Sequence, residues 1–444
     1  MTGRHANIVS FIILFTSLSA CGPTVSHYVR VDQALSQRHF DEADRVVEES
    51  HRNYGSRSDL LYLMDRGMTL HLAGHYAESN RYLAAAEDKI ESLYAVSISQ
   101  EASSFLLNDY TLSYEGEDFE KVMINVVAAL NYALLGQWDD ALVEARKVDH
   151  KLTLLNDRYE KKNVYKEDAL ARYLSGILYE AKGEINDAFI SYRNAYEAFQ
   201  DYNKNYQTPI PSFIGPDLLR TSEALGLIEE EEDYRRTFPG TDWEKEKSLS
   251  QKGEAIFLAY VGLSPVKIDR FVDIPIPDGQ GGIYPVRLAF PRFVQQPVRS
   301  REVEVRIDDR SIRGEMVEDV GAIAVKNLDD RIGRIAAKEI ARATAKAAAS
   351  LKIRQEAAKS GDPGKQFLAN LSTDLFSLLS EKADKRSWRT LPDEIFLSRV
   401  PLTPGSHNLQ VRYLDAEGRV LQEHTFPLSL KAGEKRFVID RVMN

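Results

Sequence analysis

Four twelve-residue segments in the first half of this chain share one pattern: HFDEADRVVEES from His39, HYAESNRYLAAA from His75, QWDDALVEARKV from Gln137 and EINDAFISYRNA from Glu184. In each, a bulky residue (Phe40, Tyr76, Trp138, Ile185) lies three positions before a small one (Ala43, Ser79, Ala141, Ala188). Val47, Leu83, Ala145 and Tyr192 follow four positions later, and Ser50, Ala86, Val148 and Ala195 follow seven later. Steps of three and four place these residues on one face of a helix. Gly74, Gly136 and Gly183 precede three of the segments, where a turn between helices needs a residue tolerant of positive φ.

Nine positions before each small residue stand Ala34, Leu70, Tyr132 and Tyr179, and twelve before stand Val31, Gly67, Ala129 and Gly176. A small residue at a helix crossing followed by a large one in the core resembles the first helix of a tetratricopeptide (TPR) unit. Successive units are offset by 36, 62 and 47 residues, against about 34 in the ideal repeat. The repeats are therefore degenerate, with a long insertion between the second and third, and they lack the tryptophan and terminal proline of strong TPR motifs. The expectation is a TPR-like helical repeat domain over residues 28–235. Two uses of it stay open: a concave surface for peptides or partner proteins, or a layer of helix pairs that only packs internally.

Residues 1–20 have the anatomy of a secretory signal: Arg4, the apolar run IVSFIILF (Ile8 to Phe15), then small residues. The run is too short for a bilayer core of about 30 Å. Leu18-Ser19-Ala20-Cys21 holds the only cysteine and resembles the lipobox of bacterial lipoproteins. That resemblance implies cleavage before Cys21, diacylglycerol on its sulfur, a further acyl chain such as palmitate on the new amino terminus, and a membrane anchor. A lone thiol cannot form an internal disulfide. Gly22 stands where an aspartate would favour inner-membrane retention, so the expected address is the outer membrane, facing the periplasm. Residues 21–27 are a short tether.

The net charge of −10 repels phosphate backbones and argues against nucleic acid as a general partner. Within the insertion, Glu115, Glu117, Asp118 and Glu120 cluster ahead of a long apolar helix. They either favour the positive end of that helix or form a surface for a basic partner segment or a cation; carboxylates without histidine make a weak metal signal, and no metal is assigned. The stretch YEGEDFEKVMINVVAALNYALLGQWDDALVEARKVDHKL resembles a poorly characterised family of Gram-negative TPR-containing outer-membrane lipoproteins. The similarity continues into KRSWRTLPDEIFLSRVPLTPGSHNLQVRY (Lys385 to Tyr413). It implies envelope location and scaffolding, and carries over no catalytic residue.

A further helix is expected over about Asp217 to Tyr234, then a linker over residues 236–254. From Ala255 the period changes: AIFLAYVGL, GGIYPVRLAF, REVEVRID, HNLQVRYL, RVLQEHTFPLSL and KRFVIDRV are rich in β-branched and aromatic residues, several alternate with period two, and turn formers separate them. The expected fold class is thus multidomain α+β, a TPR-like array followed by an antiparallel, Ig-like or related β-sandwich over 255–444, interrupted by a helical insertion at about 329–383. The last three strands are spaced like consecutive hairpins. Arg331 to Lys359 holds eight basic and two acidic residues, with Arg334, Lys338, Arg342 and Lys346 as a stripe opposite Ala336, Ile340, Ala343, Ala347 and Leu351. Such a helix packs internally, binds an acidic partner or touches an anionic membrane. A second helix, Gly364 to Ala383, offers Phe367, Leu371, Leu375 and Leu379.

No nucleophile elbow, phosphate loop or dinucleotide fingerprint is present. His71 and His75 stand four apart across a repeat turn without a third ligand, and are read as structural. The sequence therefore points to a non-enzymatic lipoprotein with no cofactor beyond its covalent lipid. It would bind envelope proteins through the TPR groove, touch the membrane only through its anchor, and belong to a cell-envelope or surface-assembly complex. Candidate partner-binding residues are Glu115, Glu117, Asp118, Arg334, Lys338, Arg342 and Lys346, with Tyr54, Tyr62, Tyr94 and Tyr110 as aromatic contributors. The alternative is an outer-membrane enzyme or binder acting on peptidoglycan.

Overall fold

A computed structural model of the chain describes residues 26–104, 112–157, 164–277, 283–359, 361–364 and 383–443. Cys21 and residues 22–25 of its tether, Tyr110, and residues 365–382 of the expected second insertion helix lie outside these residues; residues 26–27 of the tether open the first helix.

The repeat pattern becomes four antiparallel helix pairs: α1 (Ser26–Ser36) with α2 (Phe40–Glu49), α4 (Asp59–Leu72) with α5 (Tyr76–Ser104), α6 (Asp118–Leu134) with α7 (Trp138–Asp157), and α8 (Ala169–Ala181) with α9 (Ile185–Tyr206). A single turn, α3 (His51–Tyr54), follows α2. All twelve small and +4/+7 positions read from the second helices are buried. The crossing glycines have a steric reason. A Cβ on Gly67 would stand 2.4 Å from Leu83 Cδ2, and one on Gly176 would stand 2.3 Å from Tyr192 Cε1. The three turn glycines all have φ between 72 and 82°, a region that other residues adopt at a cost. The expected single helix from Asp217 to Tyr234 is instead a fifth pair, α10 (Ile214–Leu225) and α11 (Ile228–Thr237), because Gly226 at φ 69° ends the first.

Residues 236–254 do not hang free as a linker. Trp243 Nε1 donates to Glu223 on α10 (2.8 Å), Arg235 stacks on the Trp243 ring at 4.3 Å, and Glu246, opening the turn α12 (Glu246–Leu249), meets Arg220.

Beyond them, β1 (Gly253–Val261), β6 (Glu315–Asp319), β7 (Glu394–Leu402) and β10 (Lys435–Val442) form one sheet in the order β10-β1-β7-β6. A second has the order β5-β4-β8-β9, from β4 (Glu302–Ile307), β5 (Arg310–Arg313), β8 (Gly405–Leu414) and β9 (Val420–Leu430). The expected antiparallel sandwich is corrected in two respects. β8 and β9 do form a hairpin, but β10 crosses to the other sheet, and it pairs with β1 in parallel. Period-two side chains explain why β1 reads as one unbroken apolar run: all nine of its residues are buried. Ala255, Phe257, Ala259 and Val261 face the second sheet, while Ile256, Leu258 and Tyr260 join the core of the helices. The molecule thus has three layers, helix pairs, sheet and sheet, and one continuous core spans the first two.

Two elements stand apart from these layers. β2 (Val266–Pro277) and β3 (Ile283–Val294) make a two-stranded ribbon. The insertion helix α13 (Val320–Lys359) begins nine residues earlier than expected and is 40 residues long, roughly 60 Å at 1.5 Å per residue. Val320, Ile323, Ala324 and Leu328 root it in the core, and it packs on β3.

Candidate functional site

The first helices of the repeats, α1, α4, α6 and α8, would line the concave face of a TPR array. Here that face is covered. Fifteen of the 17 residues of α6 are buried, against seven of the 20 of its partner α7, so α6 is enclosed on both sides. What fills the groove is the chain's own sheet and the irregular segment Lys385–Leu391 leading into β7. Trp388 is fully buried, its backbone N–H donates to Glu120 (2.6 Å), and its Nε1 donates to Thr390 Oγ1 (2.9 Å). Thr390 in turn donates to Asp65 on α4 (2.8 Å), which also accepts from Tyr28 (2.7 Å) and Tyr54 (2.8 Å). Burial pushes the Asp65 carboxyl up to about 6 despite these donors. Arg389 pairs with Asp32 (3.0 Å) over the Tyr28 ring, and Arg386 donates to the carbonyls of Arg57 (2.8 Å) and Leu112 (3.1 Å). The two stretches that carry the family resemblance therefore touch: Tyr114 and Glu120 meet Arg386 and Trp388.

Further along the groove lies a buried charge cluster. Arg399 of β7 binds Glu254 of β1 (2.7 and 2.9 Å), Glu180 of α8 (2.8 Å) and Asp217 of α10 (2.8 Å), with the hydroxyls of Tyr173 and Tyr192 at 3.1 Å. Lys435 of β10 joins Glu254 (2.5 Å) and Glu180 (3.3 Å), and Arg220 closes the cluster on Glu180 and Asp217. Although burial alone would raise the Glu254 carboxyl, Arg399 and Lys435 hold it down at about 2, and the same two cations with Arg220 keep Glu180 well below the usual carboxylate range. These ion pairs bind two helices, α8 and α10, to three strands, β1, β7 and β10. His71, on α4, has a similar role: it lies between Asn131 (2.6 Å) and Tyr260 of β1 (3.1 Å), and burial lowers it to about 4, so the imidazole is neutral. His75 is exposed against Asp41, and the two histidines share no site.

The acidic cluster and the basic helix meet each other. Glu117 caps α6 and pairs with both Lys267 of β2 and Arg331 of α13, while Asp118 lies 3.7 Å from Arg331. The Glu120 carboxylate reaches back to the Glu117 N–H (2.9 Å), the capping-box arrangement. Glu117 and Asp118 are thus buried and spent internally, which corrects their reading as surface residues. Glu115 remains exposed. Together with Lys267, Arg331 and Lys338, Glu115 and Glu117 line a cavity of about 250 Å³ between α6, the ribbon and α13. The basic stripe is also corrected as one exposed face. Lys338 is exposed and Arg334 half-buried, but Arg342 is 2% exposed and bonded to Glu339 (2.8 Å); the Lys346 side chain lies outside the described residues.

Of the aromatic candidates, Tyr94 is exposed, whereas Tyr54 and Tyr62 are buried, the first on Asp65 and the second stacked on His51 at 4.0 Å. The residues that sequence reasoning missed, Arg399, Glu254 and Lys435, had one available signal: lone charges inside or opening otherwise apolar strands require buried partners.

No family model matches the chain, and no curated protein matches it. Among solved structures the chain is similar to MamA AMB-1, at 13% identity over 49% of this chain and 93% of that one, with a TM-score of 0.30. It is also similar to two structures of a kinesin light chain-type protein of Podosopora anserina with nearly identical TPR-like repeats. Both are 14% identical; they cover 48% and 49% of this chain and 91% and 96% of theirs, with TM-scores of 0.31 and 0.30. The assignment of the first half rests on its own helix pairs, crossing glycines and turn glycines. It is a TPR-like repeat array.

Proposed function

We propose that this chain is a non-catalytic scaffold of the bacterial envelope, anchored by lipid on Cys21 in the outer membrane, facing the periplasm and binding other envelope proteins as part of a cell-envelope or surface-assembly complex. The observation that carries the scaffold reading is the threading of Lys385–Leu391 through the repeat groove. The TPR-like layer grips its own β-sandwich, so the whole becomes one rigid platform from which the ribbon and α13 project. Partners then bind the projecting surfaces rather than the groove. The lipobox resemblance at Leu18–Cys21 supports the address. In the test, whole cells of the host are crosslinked and the chain is purified from envelope fractions, with Cys21→Ser alongside. The expected result is a defined set of envelope partners with the wild type, and a Cys21→Ser precursor that carries no lipid and leaves the outer-membrane fraction. A wild-type chain recovered alone, or a variant that still fractionates with outer membrane, overturns the scaffold or the anchor respectively.

A further inference from the structure

The stretch expected to be a linker builds a pocket with α10 and α11. Phe238, Pro239, Gly240 and Thr241 form a turn closed by the Thr241 N–H on the Phe238 carbonyl (3.3 Å), with Gly240 at φ 75°. Proline second and a left-handed glycine third suit a type II turn, so this loop is set by its own sequence. It returns the chain over α10, where the Trp243 indole is fixed by its Nε1–H on Glu223 (2.8 Å) and by the Arg235 guanidinium 4.3 Å from the ring centre. The cavity beside it, of about 490 Å³, is walled by Glu223, Arg235, Phe238, Asp242, Trp243 and Lys245 among others. That volume falls within the range of roughly 300–1,000 Å³ found for small-molecule sites. All its walls come from residues 219–245, an unbroken described stretch.

The four charged side chains of the pocket balance: Arg235 and Lys245 against Glu223 and Asp242. Both cations are spent only in part. Arg235 gives two bonds to Glu231 (3.0 and 2.7 Å), and Lys245 pairs with Glu223 (2.9 Å). A guanidinium has five N–H donors and an ammonium three, so each keeps donors over. Asp242 is exposed and has no hydrogen bond or ion pair among the described residues. An entering cation would face Arg235 and Lys245, and an entering anion would face Glu223 and Asp242; like charges brought together are costly. A neutral molecule rich in hydroxyls meets neither penalty. Each hydroxyl both donates and accepts, so it can serve Asp242 and the spare donors at once. An apolar C–H face would pack on Phe238 and Trp243. Hydroxyls around the rim and C–H groups on the face describe a sugar ring.

We propose that this pocket binds a neutral sugar ring, free or as one unit of a glycan, with Asp242 accepting from two adjacent hydroxyls. This goes beyond the scaffold reading and does not depend on it. Trp243 then has two tasks: it fastens the second half of the chain to α10, and it walls a binding site.

The test titrates the full-length lipidated protein, in a detergent without a sugar headgroup, with glucose, N-acetylglucosamine, cellotriose and chitotriose. The chain has three tryptophans, so their indole N–H signals can be followed separately by NMR, with calorimetry for affinity. At least one of the four sugars is expected to shift the Trp243 signal and leave that of Trp388, which is fully buried, in place. Asp242→Ala is expected to weaken that sugar about tenfold or more without moving the thermal midpoint, because the carboxylate holds nothing in the fold. Asp242→Asn, which keeps one acceptor oxygen, is expected to recover part of the loss. A trimer that binds more tightly than its single unit assigns the ring to a glycan, and equal affinities assign it to a free sugar. A Trp243 signal unmoved by all four sugars overturns the proposal, as does undiminished binding to Asp242→Ala. Inorganic phosphate or a lysine-rich peptide that shifts Trp243 where the sugars do not overturns the choice of a neutral ligand. The titration reads the pocket alone, whatever partners crosslinking recovers, so this site and the scaffold reading fail separately.

Discussion

Gly176 and Gly333 are both helical glycines, and they predict opposite outcomes. A methyl group at Gly176 would meet the Tyr192 ring, whose hydroxyl is tied to Glu180 (2.5 Å) and cannot retreat; at Gly333 nothing lies within 4 Å. Gly176→Ala should cost about 2–3 kcal/mol through overpacking, whereas Gly333→Ala should gain roughly 0.5–1 kcal/mol from helix propensity and a less flexible unfolded chain. Urea unfolding of both variants checks the contrast. A second residue-scale prediction concerns Asp393. Burial first, then the like charges of Asp319 and Glu394, raise its carboxyl to about 8, with Arg301 and Arg441 opposing; Glu394 rises to about 7. Because the folded value exceeds the unfolded one, folding favours the protonated form: its contribution is complete below pH about 4 and disappears as pH rises through about 8. The wild type should therefore lose stability between pH 5 and 9. Asp393→Asn should flatten that slope and be the more stable protein at pH 9 by roughly 2 kcal/mol, allowing for the coupled titration of Glu394. Unfolding curves at the two pH values decide it.

Among elements, the joint between α8, α10, β1, β7 and β10 depends on Arg399. Arg399→Met leaves Glu180, Asp217 and Glu254 facing one another in a dry interior with Lys435 and Arg220 as their remaining cations, and should cost about 3–5 kcal/mol. Arg399→Lys should recover less than half, because one ammonium cannot reproduce the two-sided guanidinium geometry. Calorimetric unfolding of the three proteins is the measurement. None of these partnerships was legible in the sequence: Arg399 lies 145 positions from Glu254 and 219 from Glu180, and periodicity reports only local geometry. The same limit separates what was read from what was missed elsewhere. The helix pairs were legible because each repeats a pattern within about two helical turns, as Ala43, Val47 and Ser50 do. Arg38 shows how tertiary context overrides such a pattern. It takes the left-handed turn position, at φ 59°, that three other repeats give to glycine, and its guanidinium pairs with Asp440 of β10. β2 escaped notice because its prolines read as turn formers, and β10 was misplaced because its alternation says nothing about which strand it joins. Of the candidate site residues, Glu117 was read apart from the basic helix, whose first residue, Arg331, is its partner.

At the scale of the whole molecule, the groove segment and the parallel strand tie distant regions together. Lys385–Leu391 anchors the first repeats through Asp32 and Asp65, and β10 supplies Lys435 to the charge cluster, Phe437 beside Trp138, and Arg441, whose guanidinium donates to carbonyls of Gly262, Thr390 and Leu391. Contacts of such sequence separation close late, since loop entropy must be overcome before they form. The parallel pairing of β1 with β10 has a consequence for a chain that emerges N-terminus first, in synthesis or on the proposed export route. A polypeptide crossing a membrane in an unfolded state emerges with its repeats first and its closing strand last. Until residues 435–442 arrive, β1 has a naked edge, and the repeat groove lacks the ammonium that completes its electrostatics. Each new molecule thus passes through an interval in which its central strand is open to capture by chaperones or proteases.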